Sequence, residues 1–330
     1  MSKATSKRVL VGKLETTMGT AIAIASADFD ARVRGIATTP ELGLDDEASK
    51  YATGDFMEDE SVGTTEGANL SFMCKVAPSG TPATVEPKWW KFLKACGMTE
   101  KAYTTKGVAL QDSSVSDVRT MTFIGIDIER GAAPVGVADT FSGCMGNCVI
   151  SAESAGAVLQ ANFDFSGKYA GEVDLANGDL LALTSPDTTI AETFKNITCT
   201  VGGTSTFCIR SFSVDLGNGR SNELCASQAT AILYNKIDSR APRLNIKMAL
   251  PAVSAYGALA KWKAETVATI SIVVGAYTFA FPRAQIINFA KVDGSGTIDY
   301  DITFKLLRNG TTDTGIAPSA SLEILQGARA

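Results

Sequence analysis

The chain has 330 residues, 45% of them apolar and 20% charged, with a formal net charge of −5. A single hydrophobic core stops growing near roughly 250–300 residues, so one elaborated domain or two lobes are expected, and the apolar share excludes wholesale disorder. An acidic balance without a basic run excludes tight gripping of nucleic-acid phosphates, and the absence of histidine removes the commonest general base and metal ligand.

The first eight residues lead into only a short apolar stretch, Val9-Leu10-Val11, which is not a secretory signal. Residues 1–33 are expected to form an N-terminal arm and first strand. Residues 34–66 read as an irregular acidic loop or arm: they hold Pro40, several glycines and the clusters Asp45-Asp46-Glu47 and Glu58-Asp59-Glu60. A first β lobe is expected over 67–170, with strands at 69–76, 120–128 and 140–152. Inside it, residues 87–97 predict a helix. Trp89, Phe92, Leu93 and Cys96 fall at i, i+3, i+4 and i+7, Lys88, Lys91 and Lys94 lie off that stripe, Pro87 suits the first turn and Gly97 the stop. Leu159, Ala161, Phe163 and Phe165 alternate with polar residues, as in a strand with one apolar and one wet face.

Residues 171–200 read as a polar connection containing Pro186, followed by a second β lobe over 201–330. Alternation predicts strands at 212–216, 244–250 and 300–306. A weaker helix is expected over 252–263, with Tyr256, Leu259 and Trp262 turned to a sheet. Two short strands flank Gly275, the second halted by Pro282, and Asp293-Gly294-Ser295-Gly296 reads as a turn. There is no repeat with a solenoid period. The fold class expected is mainly β, an antiparallel sandwich or barrel-like sheet with one or two short helices packed on it.

Motifs for chemistry are weak. There is no nucleophile elbow, phosphate loop or dinucleotide fingerprint. Cys144 and Cys148 lie four apart on a strand, and Cys199 and Cys208 lack metal spacing, so buried thiols are the reading and no metal or cofactor is expected. Asp299 and Asp301 fit solvated sheet-face charges better than an acid–base pair. The acidic clusters lack the alternating oxygen-ligand spacing of a calcium loop.

The order of landmarks resembles the major tail tube protein family of long-tailed bacteriophages. Lys13-Leu14-Glu15-Thr16-Thr17-Met18-Gly19-Thr20 resembles its opening, and Pro87-Lys88-Trp89-Trp90-Lys91-Phe92-Leu93-Lys94-Ala95-Cys96-Gly97 its helix. Gly143-Cys144-Met145-Gly146-Asn147 with Phe163-Asp164-Phe165-Ser166-Gly167, then Phe212-Ser213-Val214-Asp215-Leu216-Gly217-Asn218 and Asp238-Ser239-Arg240-Ala241-Pro242, resemble further landmarks. The resemblance implies a structural virion protein, not an enzyme. It implies stacked hexameric rings whose sheets join into a barrel around a DNA channel. The implied partners are further copies of the chain and the tape-measure, terminator and distal tail proteins. DNA would pass without specific binding, no membrane would be involved, and assembly would take place in the host cytoplasm. On that reading Asp164, Asp215, Asp299 and Asp301 are candidates for an electronegative lumen, on wet strand faces that meet either lumen or outer solvent. Asp45, Asp46, Glu47, Glu58, Asp59 and Glu60 are candidates for a ring-to-ring loop. Two other readings stay open: another tail or capsid-decorating virion β-protein, and a sugar-binding β-sandwich.

Overall fold

The computed structural model describes residues 7–25, 28, 31, 33–45, 62–80, 85–102, 106–111, 119–129, 135–175, 189–204, 207–249, 251, 256–294, 296–309 and 320–326. The fold is mainly β. The first half holds β1 (Lys7–Leu14), β2 (Val33–Asp45), β3 (Val62–Lys75), helix α1 (Trp90–Ala95), β4 (Thr99–Ala102), β5 (Lys106–Gln111), β6 (Met121–Glu129), β7 (Val135–Ala152) and β8 (Gln160–Leu175). The second half holds β9 (Thr198–Val201), β10 (Ile209–Asp215), β11 (Asn218–Leu224), β12 (Ile232–Arg240), β13 (Arg243–Ala249), helix α2 (Ala258–Lys263), β14 (Val267–Val274), β15 (Tyr277–Asp293), β16 (Ile298–Leu306) and β17 (Ala320–Gln326).

The main antiparallel path runs through eight strands, β2-β3-β8-β7-β10-β13-β16-β15, and continues from β15 through β17, β5 and β4. Two long strands act as junctions. β7 keeps β8 on one edge, while its other edge is covered first by β6 over residues 135–144 and then by β10 over 149–152. β15 keeps β14 on one edge over 277–285, while its other edge passes from β17 at 277–280 to β16 at 284–293. Pro282 therefore does not halt the strand, contrary to the sequence expectation. It falls at the bulge opposite Ala268 and Ile270, where the second edge changes partners, so its missing N–H interrupts no regular ladder.

The two halves share one topology. In the first, β1 pairs with β6, β6 with β7, β7 with β8, β8 with β3 and β3 with β2, all antiparallel. In the second, β9 pairs with β14, β14 with β15, β15 with β16, β16 with β13 and β13 with β10, also antiparallel. A short helix follows β3 in one and β13 in the other. Even the bulge recurs: Met121 and Phe123 face Cys144 and Phe141, as Ala268 and Ile270 face Ala284 and Phe281. The hairpin β11–β12 is an insertion between β10 and β13.

Alternation explains the strands. Phe163, Phe165, Leu244, Ile246, Ile302 and Phe304 turn inward and are buried, while their neighbours stay wet. Helix α1 closes the core of the first half. Phe92 meets Phe72 at 4.9 Å and Phe163 at 5.4 Å between ring centroids, and Phe72 stacks on Phe165. Trp89, Leu93 and Cys96 are buried with it, as the helical stripe predicts. Trp90, off that stripe, is buried too, because the helix is enclosed on more than one side. Burying side chains of this size contributes about 1.5–3 kcal/mol each.

Two expectations are corrected here. Much of 34–66 is strand, since β2 pairs along nearly the whole of β3, from Val33↔Cys74 to Asp45↔Val62, with Pro40 opposite Ala68. In α2, Tyr256 just ahead of the helix is buried, but Leu259 and Trp262 are 46% and 41% exposed, so they do not face the sheet. One turn and a half of helix has room to bury only Ala258.

Candidate functional site

The eight-strand path turns one continuous polar face outward from the core. Direct cross-strand neighbours share a face, so the register traces it. Ser71 lies opposite Asp164 and Asp164 opposite Asn147. Two and four residues on, Val149 and Ser151 face Asp215 and Ser213. Ser213 faces Asn245, Asn245 faces Thr303, and Thr303 faces Asn288. The face is built of short neutral polar side chains with a few charges set among them.

The four candidate aspartates occupy different settings on it. Asp164 is exposed and accepts from Arg220 of the inserted hairpin. Asp215 is spent on structure: its Oδ1 accepts from Asn147 Nδ2 at 2.9 Å and from Gly217 N at 2.8 Å, fixing the turn into β11. Asp301 is exposed and lies opposite Lys247. Asp299 corrects the sequence reading, because it has no exposure at all. Arg210 Nε donates to its Oδ1 at 2.9 Å, Lys247 Nζ stands 3.9 Å from Oδ2, and the turn at Gly294 closes over it. Nor is the face electronegative in this half. Asp215 faces Arg243 and Asp301 faces Lys247, so each of these carboxylates has a cation on the facing strand, and Lys305 adds a further cation opposite Arg243. Opposite charges on facing strands stabilise the sheet, and alternation within one strand cannot reveal that arrangement.

Asp45 closes β2, while Asp46, Glu47, Glu58, Asp59 and Glu60 lie outside the described residues. Cys144 and Cys148 are both buried, and burial pushes both thiols well above the usual cysteine range. Cys199 is buried and its thiol is pushed up to about 12 by desolvation, whereas Cys208 is exposed. Among the described residues, no three acidic or cysteine side chains come together as metal ligands.

A protein-family model described as phage tail tube protein matches residues 5–306. The chain belongs to the phage tail tube protein family. No curated protein matches it. The family is structural and places the chain in the virion tail, and no described helix is long and apolar enough to cross a membrane.

In this tail tube protein the opening motif proves to be a buried carboxylate site that sequence reasoning did not assign. Glu15 is 2% exposed and accepts four hydrogen bonds. Gly19 N and Thr120 Oγ1 serve Oε2; Thr122 Oγ1 and Gly143 N serve Oε1, each at 2.8 Å. Two landmarks far apart in sequence thus meet on one side chain. Gly19 and Gly143 have φ of +74° and +62°, and a Cβ on Gly143 would stand 3.0 Å from Tyr234 Cα, so both positions require glycine. The signal for Glu15 was present as the spacing Glu15-x-x-x-Gly19, but its partners come from β6 and β7. A second missed node is Asn218, whose Nδ2 donates to the carbonyls of Cys96 and Gly146 at 2.8 and 2.9 Å, tying the hairpin to the end of α1.

Proposed function

We propose that this tail tube protein polymerises as stacked rings, with six equivalent wall units around each ring, and that its polar sheet face lines the lumen through which DNA passes during ejection. The observation that carries this reading is the mainly polar face that runs across the paired strands from β3 to β15, backed by an apolar core. A transit channel needs a wall that neither traps nor strongly attracts phosphate. Short neutral side chains with interleaved charges of both signs meet that need, since few cations are free to release counterions along the polymer. The channel works without catalysis, cofactor or metal, in keeping with a sequence that has no histidine.

The acidic clusters at 45–47 and 58–60, in the segment that joins β2 to β3 in the chain, serve as ring-to-ring contacts. The partners are further copies of the chain, then the tape-measure, terminator and distal tail proteins, with assembly in the host cytoplasm. Electron microscopy of the purified chain tests the reading: hollow tubes are expected, and a protein that stays monomeric at high concentration in every buffer would overturn it. Reversing the charges of Asp45, Asp46 and Glu47 to Lys should leave rings that no longer stack.

A further inference from the structure

The repeated topology bears on how copies meet. The two halves are joined inside the chain by one strand junction, β7 with β10, in which Val149 faces Asp215, Ile150 faces Val214 and Ser151 faces Ser213. The counterpart of β7 in the second half is β15, and the counterpart of β10 in the first half is β2. Among the described residues, the edge of β15 beyond Gln285 pairs with no strand on the β14 side, and β2 pairs with β3 alone. The chain therefore holds one completed junction and, at its two ends, the separated halves of a second. Exposed strand edges of this length recruit other strands unless blocked.

We propose that β15 of one copy pairs with β2 of the next as β7 pairs with β10 within the chain, so that each chain supplies two wall units and a ring of six units contains three chains. This rests on the tube reading above. The shared bulge sets the register. It makes Cys144 equivalent to Ala284 and Met145 to Gln285, and their partners Ser166 and Lys305 equivalent in turn. Carried along β8 and β16, Asn162 corresponds to Asp301, so Val149, opposite Asn162, corresponds to Ala290, opposite Asp301. Carried across β3 and β13, Thr39, opposite Asn69, corresponds to Asp215, opposite Arg243. The junction between copies then places Thr39 opposite Ala290, Thr38 opposite Lys291 and Ala37 opposite Val292.

Parity supports the closure. The path from β2 to β15 contains eight alternating antiparallel strands, an even number. Copies in one orientation around a ring therefore bring β15 and β2 together antiparallel, as β7 and β10 already are. Such a head-to-tail contact closes into a ring when its rotation divides the circle. The outward side of the sheet continues across the joint, since Thr39 lies beside Asn69 and Ala290 beside Asp301 on that side.

The test is site-directed crosslinking in assembled tubes, with Cys208→Ser and Cys225→Ser removing the accessible native thiols. Thr39→Cys combined with Ala290→Cys should oxidise to a covalent ladder that stops at three chains after denaturation. Thr38→Cys with Ala290→Cys, on opposite faces, should crosslink at least tenfold less. A ladder running to six chains, or equal crosslinking by both pairs, would overturn the proposal. If the cysteine variants fail to assemble, the mass of rings released from unmodified tubes decides it: three chains of 34.5 kDa each are expected, and six would refute it. Absence of tubes from the unmodified chain would instead sink the tube reading itself.

Discussion

Arg210 lies over Asp299 and donates to its Oδ1 at 2.9 Å, sealing from solvent a carboxylate that also stands beside Lys247. Arg210 also holds Thr297 through Nη2 at 2.9 Å, so a single guanidinium fastens the β15–β16 turn to β10. Two residues further on, Asp301 is exposed and opposite Lys247.

These settings separate the two aspartates experimentally. Asp299→Lys puts a buried cation between two others and should destabilise the fold by at least about 3 kcal/mol, the scale of breaking a buried pair. Asp301→Lys sets one exposed cation opposite another and should cost only about 1 kcal/mol, the scale of a cross-strand charge pair. It should still assemble, and should slow DNA ejection more at low salt than at high salt if the face lines the lumen. Urea denaturation and ejection assays read both outcomes. Equal tolerance at the two positions would contradict the burial of Asp299.

Glu15→Ala removes one acceptor and leaves four buried donors facing it. Each unsatisfied donor costs about 1–3 kcal/mol, so the loss should be at least about 3 kcal/mol even without full additivity. Glu15→Gln keeps the shape but turns one acceptor into a donor, and should fall between the two. Thermal melting of the three proteins should rank them wild type, Gln, Ala.

Replacing Phe92 by Ala should cost about 3–5 kcal/mol through the cavity left among Phe72, Phe123 and Phe163. Lys91→Ala should cost far less. It loses one hydrogen bond from Nζ to the Asp28 carbonyl and a cation contact over Phe92. Chemical denaturation of both variants checks the order, and a neutral Phe92→Ala would mean that α1 does not close this core.

An acid-pH effect is expected at the first strand. Arg8 donates to both oxygens of Asp127, at 2.7 and 2.6 Å, and that hydrogen bonding holds the Asp127 carboxyl below its usual range. A carboxyl lowered on folding contributes stability above its unfolded value, about 3.9, and loses it as pH falls through the lower folded value. Both side chains are 38% exposed, so the effect should stay under about 1 kcal/mol. Amide exchange in β1, corrected for intrinsic rates, should quicken in acid and lose that pH dependence in Asp127→Asn.

Much of this protein was legible in one sequence because strands with one buried face impose alternation directly on the residues. Phe163 and Phe165, Leu244 and Ile246, and Ile302 and Phe304 revealed their faces without any knowledge of their neighbours, and the stripe of Trp89, Phe92, Leu93 and Cys96 revealed the buried side of α1. The order of short motifs was legible as a family resemblance. What only the tertiary structure decided depends on which strand lies beside which. Alternation places Asp299 on the polar side of its strand, yet Arg210 from β10 and the Gly294 turn bury it. Pro282 looks like a terminator until the partner change at that point is seen. Glu15 gains its meaning from Thr120, Thr122 and Gly143, more than 100 residues away. The repeat of the whole strand set left no period in the sequence. It is carried by backbone hydrogen bonds and a shared bulge, which constrain hydrophobic pattern and spacing but leave side-chain identity free: Phe123 stands in one half where Ile270 stands in the other.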